Sequence, residues 1–526
     1  MAVKLRPLLG LFGVITAAIS AEFNDQVASI AGGDISGGLG LSHDPSTWFD
    51  SLYVSAEVFG MAVSPFLLVT FSLRQFSLFV VLLNVCSSAV IPYAPDAVAL
   101  YLLRIMQGLS GGFTIPLLMT TALRVLEPSI RLYGLAVYAL TATFTPALAT
   151  SMAGLWTDLV GWQFVFLEAV PLCTLAGLLI WFGLPQDPGR YERFRKFNWR
   201  GALLILIGLG SFSTMLQQGD RLDWFNSDLI CVLAAISAIA IPLLIVNEWF
   251  AEIPFLKLQM LGSRNFAYGA AALLLFVIVS PSASSVPNNF LREVQDMRPE
   301  QFYTVSLLIA GIQLVMLPLM AFLLDFPQID ARIWSVIGLL LVGGGCVGAS
   351  FCTIAWFREQ FYLWQIMQGI GQPMVVMPLL MMATNTVKDP TQGPFASSLV
   401  NTPRAVAEAV GVWLTQLVGR WRGGLHSARL TDQLGQERFG VLQGVPRGPF
   451  TGPLTDRALP PVFLPNGHPA SPGALAQLNE LVAQQTRILT VSDLYLVFAG
   501  VAGLLLLVLL ILPVRTLPPR LEFAQK

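Results

Sequence analysis

Apolar runs long enough to cross a bilayer recur along nearly the whole 526-residue chain, and they settle its class before any motif is considered. A helix needs about 20 consecutive apolar residues to span hydrocarbon. Fourteen such runs are present, opening with 8–30, 48–70, 76–95 and 98–121 and closing with 361–385, 398–419 and 491–513. In lipid every backbone N–H and C=O must be satisfied internally, which leaves helices or closed barrels, and runs this long are helices. The predicted fold class is an all-α polytopic membrane protein. Composition agrees, with 55% hydrophobic and 12% charged residues, where soluble domains carry about a quarter charged residues. A formal net charge of −1 provides no basic face and argues against nucleic acid as a partner.

Lys4, Arg6 and the small residues Ala18 to Ala21 imitate a signal peptide, but Glu22, Asn24 and Asp25 follow and apolar sequence continues to Ile30, which suits an uncleaved first span. Orientation follows from Lys and Arg. With the N-terminus inside, the inside segments hold seventeen of them and the short outside loops hold Arg221, Arg292, Arg298 and Arg358. Both termini are therefore expected in the cytoplasm. The five Cys all fall within spans and match no metal or CxxC spacing, and the three His are scattered, so no metal site and no cofactor are expected.

An internal duplication stands out. Tyr101–Pro116 reads YLLRIMQGLSGGFTIP and Gln365–Leu380 reads QIMQGIGQPMVVMPLL, sharing Ile-Met-Gln-Gly with Arg104 in the first copy and Gln365 in the second. Guanidinium in hydrocarbon is costly, so Arg104 must face a polar partner or a watery cavity. Gln107 and Gln368 are the shared polar positions.

Acids accompany the first copy. Glu22 and Asp25 lie three residues apart, on one face of span one, and Glu57 lies inside span two. These acids are expensive in lipid unless they line a cavity. Pro146 permits a bend in span five, where Ala149, Ala153 and Gly154 form a small-residue seam for close helix approach. Asp325, Asp330 and Arg332 are available to pair near a helix end, and Asn401, Arg404 and Glu408 sit in span thirteen, where Arg404 and Glu408 have the spacing of an intrahelical ion pair. The Gly- and Pro-rich segment 423–473 should be irregular, and Ala474–Thr490 should form a helix leading into the last span.

These residues together resemble the major facilitator superfamily, within it the fourteen-span drug:proton antiporters of the EmrB/QacA type. RIMQGLSGG at Arg104–Gly112 is similar to the family's fourth-span Arg-x-x-Gln-Gly motif. DLVGWQFVFLEAVP at Asp158–Pro171 is similar to the stretch opening span six, with Glu168 in place of Asn, and QQGDRLDWFNS to the turn between spans seven and eight. Asn401-Thr-Pro-Arg404 is similar to the Asn-x-x-Arg of span thirteen. Three places depart from the family. The first-span Leu-Asp-x-Thr reads Phe23-Asn24-Asp25-Gln26, so the acid has moved one place or Asn24 replaces it. The Gly-x-x-x-Asp-Arg loop has shrunk to FSLRQF with Arg74, and the fifth-span Gly-Pro-x-x-Gly-Gly is replaced by Ala149-Thr150-Ser-Met-Ala153-Gly154.

The resemblance implies a six-helix bundle at 1–183, a cytoplasmic linker at 184–200, two inserted spans and a loop at 201–265, and a second six-helix bundle at 266–526 that includes a long extracytoplasmic loop at 423–490. It implies export of small amphipathic compounds powered by a proton gradient, in a bacterial inner membrane, with no enzymatic chemistry. Asp25, Glu57, Glu22 and Arg104 would handle the proton. Asn24, Gln107, Gln365, Gln368, Asn401 and Arg404 would line the substrate cavity, and Pro146, Ala149, Ala153, Gly154, Asp325 and Arg332 would serve gating or packing. The long outside loop would dock a periplasmic adaptor leading to an outer-membrane channel. Two alternatives stand beside this one: a dedicated exporter of a single metabolite or siderophore, and a non-transporting receptor or scaffold on the same fold.

Overall fold

The computed structural model describes residues 5–127, 130–385, 393–436, 472–511, 515–516 and 518–519. Among them there is no β-strand, and thirteen helices are long and apolar enough to cross a membrane. In chain order the helices are α1 (Leu5–Ile30), α2 (Gly32–Leu39), α3 (His43–Phe71), α4 (Leu73–Val90), α5 (Ala97–Val125), α6 (Arg131–Gly154), α7 (Phe164–Leu167) and α8 (Ala169–Gly183). Then follow α9 (Trp199–Leu204), α10 (Gly210–Gln218), α11 (Asp228–Phe250), α12 (Arg264–Val279), α13 (Ser285–Glu293), α14 (Pro299–Leu324), α15 (Ala331–Ala349), α16 (Arg358–Asn385), α17 (Gly393–Gln436) and α18 (Pro472–Ile511). Helix α17 is the fourteenth spanning element: it packs among the others, and its charged inward face keeps it from reading as purely apolar.

Helices α1, α3 to α5, α7 and α8 pack chiefly on one another, as do α12, α15, α16 and α18, while α6, α14 and α17 divide their packing between the two groups. The two groups meet along two seams, α6 against α14 and α3 against α17. At the end where the chain passes between the groups, hereafter the linker end, segment 184–200 is clamped to α3. Phe66 is fully buried there and makes edge contacts with Phe194, Phe197 and Phe255, and the Arg190 N–H donates to the Thr70 carbonyl at 2.8 Å. The opposite, distal end carries the start of α3, α5 and α14.

The expectation of irregular structure over 423–473 is corrected where residues are described: α17 stays helical to Gln436 and α18 begins at Pro472. Gly423 and Gly424 lie within α17, and no Pro follows them until 446. The remainder of that segment lies outside the described residues. At 1.5 Å per residue, the 44 residues of α17 extend about 66 Å, far beyond a hydrocarbon core of about 30 Å. Arg422 and His426 of α17 both reach Asp493 of α18, at 2.5 and 2.6 Å, so the two helices brace each other at the distal end.

Candidate transport site

Helix α5 is placed first, because it carries Arg104. Asp96 caps it by accepting the Ala99 N–H at 2.7 Å. Two turns in, Arg104 is completely buried. What brings it to α3 is the glycine pair below it. A Cβ at Gly108 would stand 2.3 Å from the Tyr53 carbonyl oxygen, and one at Gly112 would stand 2.2 Å from that of Glu57, so the two backbones touch. Arg104 then lies between the rings of Phe49 and Tyr53, each 4.3 Å from its guanidinium carbon.

Its Nη1 donates to the Asn24 carbonyl at 2.8 Å and to Gln107 Oε1 at 2.6 Å, and its Nη2 lies 3.3 Å from Asp50 Oδ1. Gln107 in turn donates to Ser88 Oγ at 2.7 Å, and Asn24 donates to Asn84 at 2.8 Å. Asn84 donates to Cys173 Sγ, which donates to Ser20. One buried polar network therefore ties α1, α4, α5 and α8 together and fixes the guanidinium.

The acid partner of Arg104 is Asp50, not Asp25 or Glu57. Asp50 is not among the acids that the sequence singled out. A signal existed: Asp50 and Glu57 lie two helical turns apart on one face of α3, with Phe49 and Tyr53 one turn apart beside them.

The second group of helices supplies the other buried cation. Arg404 of α17 meets Glu22 of α1 at 3.2 Å and Glu408 of its own helix at 3.0 Å. The intrahelical pair is thus present, and it shares its cation with a pair that crosses between the groups. Asn401 hydrogen-bonds Tyr138 of α6 and donates to the Ser397 carbonyl, the latter at 2.8 Å.

Asp25 and Glu57 differ from the other acids. Glu57 is buried, and among the described residues its carboxyl has neither a hydrogen bond nor an ion pair. Asp25 accepts, among the described residues, only from Gln26, at 2.9 Å. Both lie within electrostatic reach of Glu408, Asp25 also of Arg104 and Asp50, and Glu57 also of Asp25, Glu22 and Arg404. Glu22, Asp25, Asp50, Glu57 and Glu408 therefore share one region, with only Arg104 and Arg404 for counter-charge among the described residues.

The other candidate residues fall outside this cluster. Gln365 of α16 is buried with its amide oxygen unpartnered among the described residues. Gln368 donates to Ser282 and Cys346, at 3.2 Å each. Ala149 and Ala153 face the core shared with Phe23 and Val27 of α1, and Gly154 brings α6 to the start of α14, with a Cβ there 3.1 Å from the Glu300 nitrogen. Pro146 lies inside α6. Asp325 closes α14, and Arg332 pairs with Asp330 at 2.7 Å, which holds that carboxyl below its usual range. Glu168 accepts from Trp156 Nε1 at 2.5 Å, a pairing within the distal end of the first group.

Comparison with known proteins gives a consistent answer. The sequence pattern of the Major Facilitator Superfamily matches residues 12–323. The chain is 27% identical to the probable multidrug resistance protein EmrY of Escherichia coli (strain K12) over 442 residues, covering 81% of this chain and 84% of that protein. It is 26% identical to the multidrug export protein EmrB of the same organism over 441 residues, covering 82% and 84%. To the fatty acid resistance protein FarB of Neisseria gonorrhoeae it is 26% identical, covering 80% and 82%. The solved structure of the proton:xylose symporter XylE bound to 6-bromo-6-deoxy-D-glucose aligns over the full length of both chains, with a TM-score of 0.56 and 12% identity, a likeness of fold alone.

Proposed function

The chain belongs to the major facilitator superfamily, and from that premise we propose that it exports small amphipathic organic compounds by alternating access, driven by inward proton flow. One observation carries the reading: five carboxyls and two guanidiniums share one region between two groups of helices, and among the described residues two of the carboxyls, Asp25 and Glu57, have no cation in contact. Buried charge without a partner is too costly to keep. Such carboxyls take up or release a proton without breaking an ion pair, and an organic cation is the other species that relieves the excess.

Arg104 serves as a fixed charge, held by Asp50 and by its polar network, while Arg404 and Glu22 are the pair that rearranges as the two helix groups rock. The membrane potential contributes about 2.3 kcal/mol per charge per 100 mV. Energy therefore comes from the gradient rather than a cofactor. The multidrug designations of EmrY and EmrB support the substrate class.

The placement is a bacterial cytoplasmic membrane with both termini inside, supported by the Lys and Arg asymmetry of the loops. The distal end then faces outward, and the projecting parts of α17 and α18 dock a periplasmic adaptor that leads to an outer-membrane channel. Their length beyond the hydrocarbon supports this, and crosslinking from Arg429 of α17 that captures no partner in intact cells would contradict it.

The deciding experiment is a panel efflux assay in a pump-deleted bacterium, with and without an uncoupler. Uncoupler-sensitive loss of ethidium or related cations is expected. A well-folded protein that moves none of the panel, in cells or in proteoliposomes, favours the receptor or scaffold alternative.

A further inference from the structure

The turn between the two inserted helices touches both halves of the molecule. Toward α3, Gln218 at the end of α10 donates to Ser51 Oγ at 2.7 Å and to the Thr47 carbonyl at 3.0 Å, and Arg221 pairs with Asp44 at 2.8 Å. One turn deeper, Ser55 and Thr214 share a hydrogen bond of 2.9 Å. Toward α17, Arg420 pairs with Asp223 and lies 3.6 Å from Asp220, while the ring of Trp224 meets that of Trp413 edge-on at 6.2 Å between centroids. Helix α10 itself packs on both α3 and α17. The inserted helices therefore cover the distal half of the seam between the two helix groups.

The turn is also strained. Asp223 and Trp224 both adopt positive φ, 58° and 52°, in succession, a conformation that residues with a Cβ avoid. It persists because both flanks are tied down: the Trp224 N–H donates to the Gly219 carbonyl at 2.8 Å, and Asn226 Nδ2 donates to Asp223 at 2.6 Å.

We propose that residues 218–224 form a strap across the α3/α17 seam that holds the distal face closed and must release from Arg420 each time that face opens. The inference rests on the alternating-access reading above. The Arg420 contacts are half-exposed, and exposed ion pairs are individually weak. Weakness suits the purpose, because a strap that must part in every cycle cannot be a strong one. Asymmetry within the strap points to Arg420 as the releasing side: Gln218 is buried with its hydrogen bonds to α3 satisfied, whereas Asp220 and Asp223 meet α17 at the water boundary.

The test uses spin labels at the distal ends of the two helix groups, Tyr93→Cys and Phe351→Cys, both highly exposed positions, with exposed Cys86 and Cys231 replaced by serine. Distances between the labels are measured in the full-length protein in nanodiscs. Arg420→Asp, which repels both carboxylates, is expected to raise the long-distance population relative to the short by about two- to fivefold. Combining it with Asp223→Arg restores the original ratio, and 1 M salt, where the Debye length falls to about 3 Å, moves the parent protein in the same direction as Arg420→Asp. An unchanged distribution in Arg420→Asp, in a protein with the parent's thermal stability, overturns the strap. If Arg420→Asp lowers stability, the salt response and the reversed pair decide, and no shift in either overturns it. Failure of the transport reading looks different: the parent's distribution then ignores both pH and added ethidium.

Discussion

The two copies of Ile-Met-Gln-Gly occupy matching places and do different work. In both, the glutamine sits inside its own helix group and donates to neighbours, Gln107 to Ser88 of α4 and Gln368 to Cys346 of α15. In both, a glycine one residue on lets the helix approach another. One turn before the glutamine the copies part. Arg104 is wrapped by two rings, an amide, a backbone carbonyl and Asp50, while Gln365 is buried with an amide oxygen left over. Four of the five clustered carboxyls also belong to α1 and α3. The shared motif thus carries a charge in its first copy and a neutral amide at the matching place in its second, while the charge of the second half sits on α17 instead.

The largest expected effect comes from making the first copy like the second. Arg104→Gln leaves Asp50 without its cation and the Asn24 carbonyl without its donor. Transport should fall on the order of tenfold or more, with about 1–3 kcal/mol of stability lost, the lower part of that range reflecting the partial exposure of Asp50. Arg104→Lys should not rescue it, since a single ammonium cannot reach three acceptors while stacking on two rings. Uptake assays and thermal melts read both effects.

The glycines give the next contrast. Gly108→Ala forces a Cβ within 2.3 Å of the Tyr53 carbonyl oxygen, whereas Gly369→Ala meets only the Ile312 side chain at 3.2 Å. The first should cost about 1–3 kcal/mol, because backbone cannot step aside, and the second under about 1 kcal/mol. Equal losses in thermal melts would erase the distinction between the two helix contacts.

A smaller difference is expected at the shared glutamines. Gln107→Leu removes an acceptor from a buried guanidinium and should cost about 1–3 kcal/mol, against about 1 kcal/mol for Gln368→Leu, whose partners are neutral.

The smallest effect concerns pH. Hydrogen bonds from Asn226 and Arg420 hold the Asp223 carboxyl below its ordinary 3.8. A group whose pKa is lowered by folding contributes fully above its unfolded value and loses that contribution only as pH falls through the folded one. Asp223, with Asp220 beside it and Arg420 opposite, therefore stays ionised between about pH 5 and 8. Asp223→Ala should leave the shape of the transport profile over that range unchanged, as efflux measured across it would show.

Much of this was legible in the sequence because membranes impose few solutions. Apolar run length gave the helices, and the duplicated motif located Arg104 and its glutamines. The cost of acids in lipid singled out Glu22, Asp25 and Glu57. Pairing was not legible. Asp50 sits beside Trp48 and Phe49, a composition typical of a membrane boundary, and only the close approach of α5 to α3 converts it into the partner of Arg104. The Glu22–Arg404 pair joins residues 382 positions apart, which no local pattern reveals. The helical course of α17 past Gly423 was hidden by the Gly and Pro that follow it.

The most direct measurement is proton movement in proteoliposomes loaded with a pH dye, on addition of ethidium to the parent protein and to the Asp25→Asn/Glu57→Gln double variant. If the first half of the molecule handles protons, the parent couples ethidium movement to proton flux, and the double variant exchanges ethidium down its gradient with no proton signal and no response to an imposed pH gradient. A double variant that still concentrates ethidium when a pH gradient is applied would contradict it.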